Sequence, residues 1–442
     1  MASLLTPTRR LQLVARHLTP STPSTSLAGS SSSSRFLSTS ASRNTPRPSE
    51  KYPYIFTTSA AFHGKNLSPP PSRVKQGLPN DHPLVAWRTE VLKDGPKHGA
   101  GHDAFFVEGV PRESKELQEG EQGVKGVVMG VADGVGGWEE QGVDPSHFSQ
   151  ALMFFARERV RLSPTASASS STSSLAEKGG KGGFPPWTWP ADPSKRDGNK
   201  LKELLKGAFE DVKTEEGIVA GSSTACLVAL DAETGMLHAA NLGDSGFYVF
   251  RPSTSPAPSS GSDSPAPASP QYTLLQASTP QIYFFNAPYQ LSKFPPEEDT
   301  SNALLNHPKD ADSLTRMQLE DGDVVMVVTD GFSDNVFEKG EADVLVSAVR
   351  QKLDEHFASQ GEEVGRAERD KELASSIART AVSFARMIAV REDKTTPFEL
   401  EAKRWRVCGR NGEGFKGGKV DDVTVVVAVV RKEGAVEGVA TV

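Results

Sequence analysis

Cysteine is scarce in this chain of 442 residues, which contains only Cys226 and Cys408. Two cysteines exclude a disulfide framework and a zinc site built from four cysteines. Long apolar runs are also missing, because the longest, such as residues 423–430, are shorter than the roughly 20 residues that a membrane-spanning helix needs. We therefore expect no membrane span. The net charge is −7, so the chain has no basic excess that would favour a nucleic-acid partner.

Acidic residues are absent from the start of the chain. None precedes Glu50, whereas six arginines do, among many serines and several early leucines. This composition is typical of a mitochondrial transit peptide, so we predict one over residues 1–50 and delivery to the matrix. The segment Arg35-Phe36-Leu37-Ser38 resembles a matrix-peptidase site and suggests cleavage after Leu37. A plain disordered tail is the alternative interpretation.

Two internal segments have low-complexity sequences. One covers about residues 163–200 and contains serine and glycine runs; the other covers 252–271 and consists mainly of Ser, Pro and Ala. Neither segment can bury enough apolar surface to order itself. Because long surface insertions cost little loop-closure entropy, both are predicted to interrupt one domain. We expect that domain over residues 80–432, followed by a tail over 433–442.

The remaining sequence alternates groups of candidate strands with pairs of candidate helices. The strand candidates are rich in valine and aromatic residues, with turn residues at their ends: 104–108, 124–132, 222–230, 236–250, 272–277, 323–329 and 423–430. The helix candidates are 145–162, 200–214, 341–356 and 367–388. A turn at residues 243–246 is expected to make a hairpin of the longest strand candidate. This order favours α+β layers over a regular βαβ sheet.

Three aspartates stand at the ends of very apolar strand candidates. Asp133 and Asp330 each follow such a strand and precede a glycine, and Asp421 opens residues 423–430. A strand end orients a carboxylate well, and a glycine lets the backbone approach a bound group. Carboxylates brought together would repel one another unless cations neutralise them. Oxygen ligands suit Mg²⁺ or Mn²⁺, whereas zinc would need a histidine or cysteine cluster, which the sequence lacks.

Five motifs in order resemble the metal-dependent protein phosphatases of type 2C. Residues 131–138, Val-Ala-Asp-Gly-Val-Gly-Gly-Trp, are similar to that family's first Asp-Gly signature. The other four motifs are Gly-Ser-Ser-Thr-Ala at 221–225, Asn-Leu-Gly-Asp-Ser at 241–245, Val-Thr-Asp-Gly at 328–331 and Asp-Asp-Val-Thr at 421–424. Gly246 and residues 281–291 resemble the mitochondrial branch, known from the seventh two-C homologue of yeast. The resemblance covers about residues 100–430.

The resemblance implies a fold, a reaction and a set of metal ligands. The family fold is a β-sandwich of two antiparallel sheets flanked by helix pairs. Its members hydrolyse phosphoserine and phosphothreonine on proteins by means of a hydroxide that bridges two Mn²⁺ or Mg²⁺ ions and attacks phosphorus. Carried over to this chain, the ligands are Asp103, Asp133, the Gly134 carbonyl, Asp330 and Asp421. Asp244 and Asp334 would lie behind these ligands or bind a weaker third ion.

The sequence departs from the family pattern at two positions. His102 stands where the family has an acidic residue, and it either binds a metal, transfers a proton or has no role. Val135 replaces a histidine proposed as general acid, so a metal-bound water, or His102, would have to protonate the leaving oxygen. The family's phosphate-binding arginine has no evident counterpart; Lys97, His98 and Arg112 are the candidates.

Two functions remain open from the sequence. The first is an active phosphatase, expected to be a monomer, that acts on phosphoproteins of the mitochondrion. The alternative is a catalytically weak pseudophosphatase that keeps the fold as a binding or regulatory module. The intact Asp133, Asp330 and Asp421 favour the first, whereas His102 and the missing phosphate ligand favour the second.

Overall fold

A computed structural model describes residues 52–65, 78–96, 99–112, 123–163, 187–253, 269–298, 300–301, 303–360, 364–408 and 414–433. Its strands are β1 (Tyr54–His63), β2 (Asp103–Pro111), β3 (Val124–Asp133), β4 (Gly221–Ser223), β5 (Ala225–Asp231), β6 (Met236–Leu242), β7 (Gly246–Pro252), β8 (Tyr272–Ala277), β9 (Ile282–Phe284), β10 (Ala287–Pro288), β11 (Leu291–Lys293), β12 (Asp312–Gln318), β13 (Val324–Val328) and β14 (Val423–Lys432). Its α-helices are α1 (Pro83–Leu92), α2 (Pro145–Arg161), α3 (Gly198–Thr214), α4 (Asp330–Ser333), α5 (Asp343–Gln360), α6 (Arg366–Ala389) and α7 (Pro397–Arg404).

Two five-stranded antiparallel sheets form the centre of the molecule. One has the strand order β1-β14-β13-β7-β8 and the other β12-β6-β5-β3-β2. Strands β13 and β14 are rich in valine, whose branched side chains pack well on a pleated surface, and β13 is buried throughout. Apolar residues from the facing sides of both sheets, including Phe105, Met129 and Val327, pack together between them.

Helices cover the outer face of each sheet. Helices α2 and α3 pack on the sheet that contains β2 and β3, whereas α5 and α6 pack on the sheet that contains β13 and β14. Helix α2 begins as predicted, because the Asp144 carboxylate accepts a hydrogen bond from the Ser146 N–H and Pro145 occupies the first turn. The predicted fold of two antiparallel sheets between helix pairs is therefore confirmed.

The domain begins earlier than the predicted boundary at residue 80. Strand β1 lies at the edge of one sheet and pairs with β14 along its whole length, from Tyr54 opposite Lys432 to His63 opposite Val423. Within β1 the small residues Ser59, Ala60 and Ala61 are buried and give no alternation of polar and apolar side chains. The prediction missed the strand because it relied on such a pattern.

The predicted insertion at 163–200 is also too long at its C-terminal end. Trp187 and Trp189 are buried, and the guanidinium of Arg196 donates hydrogen bonds to Asp231 (2.7 Å) and Glu233 (2.8 Å). Residues 187–200 are therefore part of the packed domain. The predicted transit peptide, residues 164–186, residues 254–268 and the tail after residue 433 lie outside the described residues.

None of the helices in the described ranges has an apolar stretch long enough to cross a membrane.

Candidate active site

The predicted aspartates meet at one end of the sandwich because antiparallel neighbours start and finish at the same edge. Asp103 begins β2 directly opposite Asp133, which ends β3. In the other sheet, Asp330 follows β13 and Asp421 precedes β14. The structure thus brings together four of the predicted metal ligands.

Threonine hydroxyls hold these strand ends in place. The Thr224 hydroxyl accepts a hydrogen bond from the Asp133 N–H (3.0 Å) and lies 2.8 Å from the Ser245 hydroxyl. The Thr329 hydroxyl donates to an Asp103 carboxylate oxygen (2.7 Å) and accepts from the Thr424 N–H (2.9 Å). The sequence motifs at 221–225, 241–245, 328–331 and 421–424 therefore support the first Asp-Gly turn and each other.

Close backbone contacts explain the glycine after each of two aspartates. A Cβ on Gly134 would lie 2.5 Å from the Pro145 carbonyl oxygen, and one on Gly331 would overlap the carbonyl oxygen of Asp422. Neither residue has a left-handed backbone conformation, so the requirement is space rather than torsion. These glycines allow the turns at Asp133 and Asp330 to approach neighbouring chain segments.

The carboxyl groups of the site are buried close to one another. Burial, followed by the charges of Asp330 and Asp103, raises the pKa of Asp133 well above its usual value. Burial is also the main cause that raises the pKa of Asp103, of Asp244 and of Asp330, and the pKa of Asp334 rises to about 7. Ionisation of these carboxyls in the metal-free protein therefore costs free energy.

Two lysines that were not among the predicted site residues partly offset the charge of the carboxylates. The Lys65 ammonium lies 2.6 Å from an Asp421 oxygen, and the Lys419 ammonium lies 2.5 Å from Asp330, 2.8 Å from Asp334 and 2.9 Å from Asp421. Although burial opposes it, these ammonium groups lower the pKa of Asp421. Lys65 follows β1 and was missed with that strand; Lys419 precedes Asp421 by two residues, a spacing that could have pointed to it.

Of the other candidate residues, His102 lies at the site and Arg112 does not. His102 is buried beside Asp103, and its Nε2 lies 3.1 Å from the Glu139 carboxylate, a partner that no sequence motif predicts. Arg112 lies beyond the opposite end of β2, where its guanidinium stacks on Tyr52 at 4.1 Å, so it is not at the site. Lys97 and His98 fall outside the described residues.

The donor set fits a hard divalent cation. One carboxylate oxygen (Oδ1) of Asp330 and one of Asp244 are buried and have no hydrogen-bond partner among the described residues. Buried carboxylate oxygens without donors suit Mg²⁺ or Mn²⁺. In the described part of the chain, however, no three His, Cys, Asp or Glu side chains are placed so that they could hold an ion together. Lysine ammonium groups lie beside the carboxylates instead.

Comparisons with known proteins identify the family. No family model matches the chain. It is 32% identical over 377 residues to the protein phosphatase PTC7 homologue fig of Drosophila willistoni, a match that covers 85% of this chain and 89% of the relative. It is also 32% identical over 303 residues to the PTC7 homologue of Danio rerio, a match that covers 69% of this chain and 76% of the relative. The chain belongs to the PTC7 family of protein phosphatases.

As a PTC7 homologue, the protein is a serine/threonine phosphatase of type 2C, and its substrates are phosphoproteins. The predicted family and enzyme class are therefore confirmed. Among solved structures, the photosystem II phosphatase PBCP is 22% identical with a TM-score of 0.46, covering 85% of this chain and 98% of that one. The phosphatase PstP, in complex with two manganese ions, is 12% identical with a TM-score of 0.35. That match covers 86% of this chain and 100% of the PstP chain.

Proposed function

We propose that this PTC7 homologue hydrolyses phosphoserine and phosphothreonine on mitochondrial proteins with two bound Mn²⁺ or Mg²⁺ ions. Asp103, Asp133, the Gly134 carbonyl, Asp330 and Asp421 would hold the ions. The observation that carries the proposal is the convergence of these buried carboxylates, whose pKa values are mostly raised, at one end of the sandwich. Bound ions would lower the pKa of a water molecule and offset the charge of the phosphoryl oxygens.

The protein's own groups position this chemistry. Thr224 and Thr329 hold the backbone of Asp133 and the carboxylate of Asp103, so two ligands are oriented before an ion arrives. Val135 has no proton to donate, so no side chain at this position acts as an acid toward the leaving oxygen. His102 is oriented by Glu139 and donates its backbone N–H to Asp422 (2.9 Å).

Asp133→Asn tests the proposal. We expect kcat on a phosphothreonine peptide to fall by at least about 100-fold, because bound ions contribute several kcal/mol to transition-state stabilisation. The assay uses the full chain with Mn²⁺, with Mg²⁺ and with chelator. Asp312→Asn, the same change at an exposed position, is the control and should match the parent. Metal-independent turnover, or full activity of Asp133→Asn, would contradict the proposal.

A stability measurement separates loss of chemistry from loss of fold. A carboxyl whose pKa is raised by folding destabilises the protein once the pH exceeds its pKa in the unfolded chain. In chelator at neutral pH, Asp133→Asn should therefore have a higher melting temperature than the parent, since burial and its neighbours raise the pKa of Asp133.

We also propose that the protein resides in the mitochondrial matrix. The arginine-rich sequence without acidic residues before Glu50 supports this location. N-terminal sequencing of the protein recovered from cells should find a new N-terminus near Ser38. A protein recovered with Met1 intact, or found outside mitochondria, would contradict the proposal.

A further inference from the structure

Three carboxylates surround the ammonium of Lys419. Its ammonium lies 2.5 Å from an oxygen of Asp330, 2.8 Å from Asp334 and 2.9 Å from Asp421. An ammonium has three N–H donors, which matches three carboxylates at hydrogen-bond distance. The charge of Lys419 also opposes the increase that burial causes in the pKa of Asp244. Asp330, Asp334 and Asp421 therefore form an ionic cluster around the Lys419 nitrogen.

The backbone of Lys419 is clamped in place. Its N–H donates to Asn335 Oδ1 (2.9 Å), and its carbonyl accepts from Asn335 Nδ2 (2.8 Å). The same Asn335 amide donates to the Gly331 carbonyl (2.9 Å), so Lys419 is tied to the turn that carries Asp330. The ring of Phe398 lies 5.2 Å from the ammonium. The side chain is only 10% exposed, so the ammonium has little access to water.

Lys65, the other lysine of the site, is held differently. Its side chain is 27% exposed, and its ammonium is close to one carboxylate oxygen, that of Asp421 at 2.6 Å, with Asp422 at 3.7 Å. A long side chain with one close partner and access to water can leave when a divalent ion binds. Lys419 has three close partners and little access to water. The two lysines are therefore not equivalent.

We propose that Lys419 is a permanent cation of the active site, which takes the position of a third divalent ion. The inference rests on the metal dependence proposed above. The site contains seven aspartates, at positions 103, 133, 244, 330, 334, 421 and 422, and two lysines. A third divalent ion would have to displace an ammonium from three carboxylates.

The number of bound Mn²⁺ ions tests this inference. We expect about two per chain in the parent protein, measured by isothermal titration calorimetry with Mn²⁺ and by metal analysis after gel filtration. Lys419→Ala removes the ammonium and leaves Asp330, Asp334 and Asp421 around an open space, so it should bind one further ion. Lys403→Ala is the matched control, because it removes the same charge from an exposed lysine outside the cluster, and it should bind as the parent does.

Asp334→Asn provides a second test that does not depend on the folding of Lys419→Ala. If Asp334 contacts the ammonium and no metal, its replacement leaves the number of bound ions unchanged. Loss of an ion in Asp334→Asn, or a third ion in the parent, would overturn the inference. No extra ion in a folded Lys419→Ala would overturn it as well. A parent that binds no Mn²⁺ would instead contradict the proposed function.

Discussion

At the scale of single residues, Arg196 stabilises buried negative charge far from the catalytic aspartates. Arg196 and Asp231 are each 1% exposed, and their charge-assisted hydrogen bond is 2.7 Å long. Removing one partner of a buried pair leaves the other charge uncompensated. We therefore expect Arg196→Met to lower the free energy of unfolding by about 3–5 kcal/mol, measured by urea denaturation.

Lys195→Met is the control for this prediction. Lys195 is the neighbouring residue, its side chain is 74% exposed, and its ammonium lies 3.9 Å from Asp192. An exposed pair of this kind contributes at most about 1 kcal/mol. Equal stability losses in the two variants would contradict the role given to Arg196.

The sequence could predict the aspartates but not their lysine partners. Asp133 and Asp330 each follow a run of apolar residues and precede a glycine, a local pattern that is visible without a structure. Lys419 reaches Asp330 across 89 residues of sequence, and Lys65 reaches Asp421 across 356. Contacts between residues so far apart depend on strand register, which single residues do not encode.

At the scale of elements, the junction between α4 and β14 has no spare volume. A Cβ on Gly331 would overlap the Asp422 carbonyl, so Gly331→Ala must push α4 away from the start of β14. We expect a loss of at least about 2 kcal/mol in the free energy of unfolding, as in other overpacked sites. Activity should fall as well, because Asp330 begins α4 and would be displaced from Asp421.

Gly137→Ala is the matched control, since a Cβ there has open space around it. It should change stability by no more than about 1 kcal/mol. Thermal unfolding and peptide hydrolysis measured on both variants decide the point. A stable, active Gly331→Ala would show that the close approach is not required.

Some elements could be predicted and others could not. Helices α2 and α3 have N-cap aspartates, Asp144 and Asp197. The predicted ranges of both helices agree with the structure to within two residues. Strand β1 lacks a polar–apolar alternation, and its burial depends on pairing with β14. Residues 187–200 were assigned to the predicted insertion because they follow its serine and glycine runs, although two buried tryptophans were available as a signal.

At the scale of the whole molecule, β7 and β8, the strands on either side of residues 254–268, are neighbours in one sheet. The strands on either side pair directly, with Pro252 opposite Tyr272, and the Ser253 N–H donates to the Gln271 carbonyl (2.6 Å). Replacing residues 254–268 with Asn-Gly should change the free energy of unfolding by no more than about 2 kcal/mol, because loop-closure entropy varies slowly with length.

Urea denaturation and peptide hydrolysis of this variant check the prediction. Both should remain close to the parent values. A larger loss of stability would mean that the removed residues contribute contacts to the domain, and a loss of activity alone would assign them a part in substrate binding.

The layered architecture could be inferred from the order of elements, because helices occur in pairs between groups of strands. The order of the strands within each sheet could not be inferred in this way. In one sheet β1 and β13 both pair with β14, although they are far apart in the chain. Such pairings depend on the whole domain, since strands distant in sequence must first come together.

The position of β14 has a consequence for the synthesis of the enzyme. This strand follows every other strand of both sheets in the chain, yet it lies between β1 and β13. A domain folding on the ribosome receives its N-terminal elements first, so β1 and β13 must wait for the insertion of a strand made last. Lys419 and Asp421 arrive with that strand. Until residue 421 has been made, the nascent chain therefore lacks two of the charged residues that meet at the site.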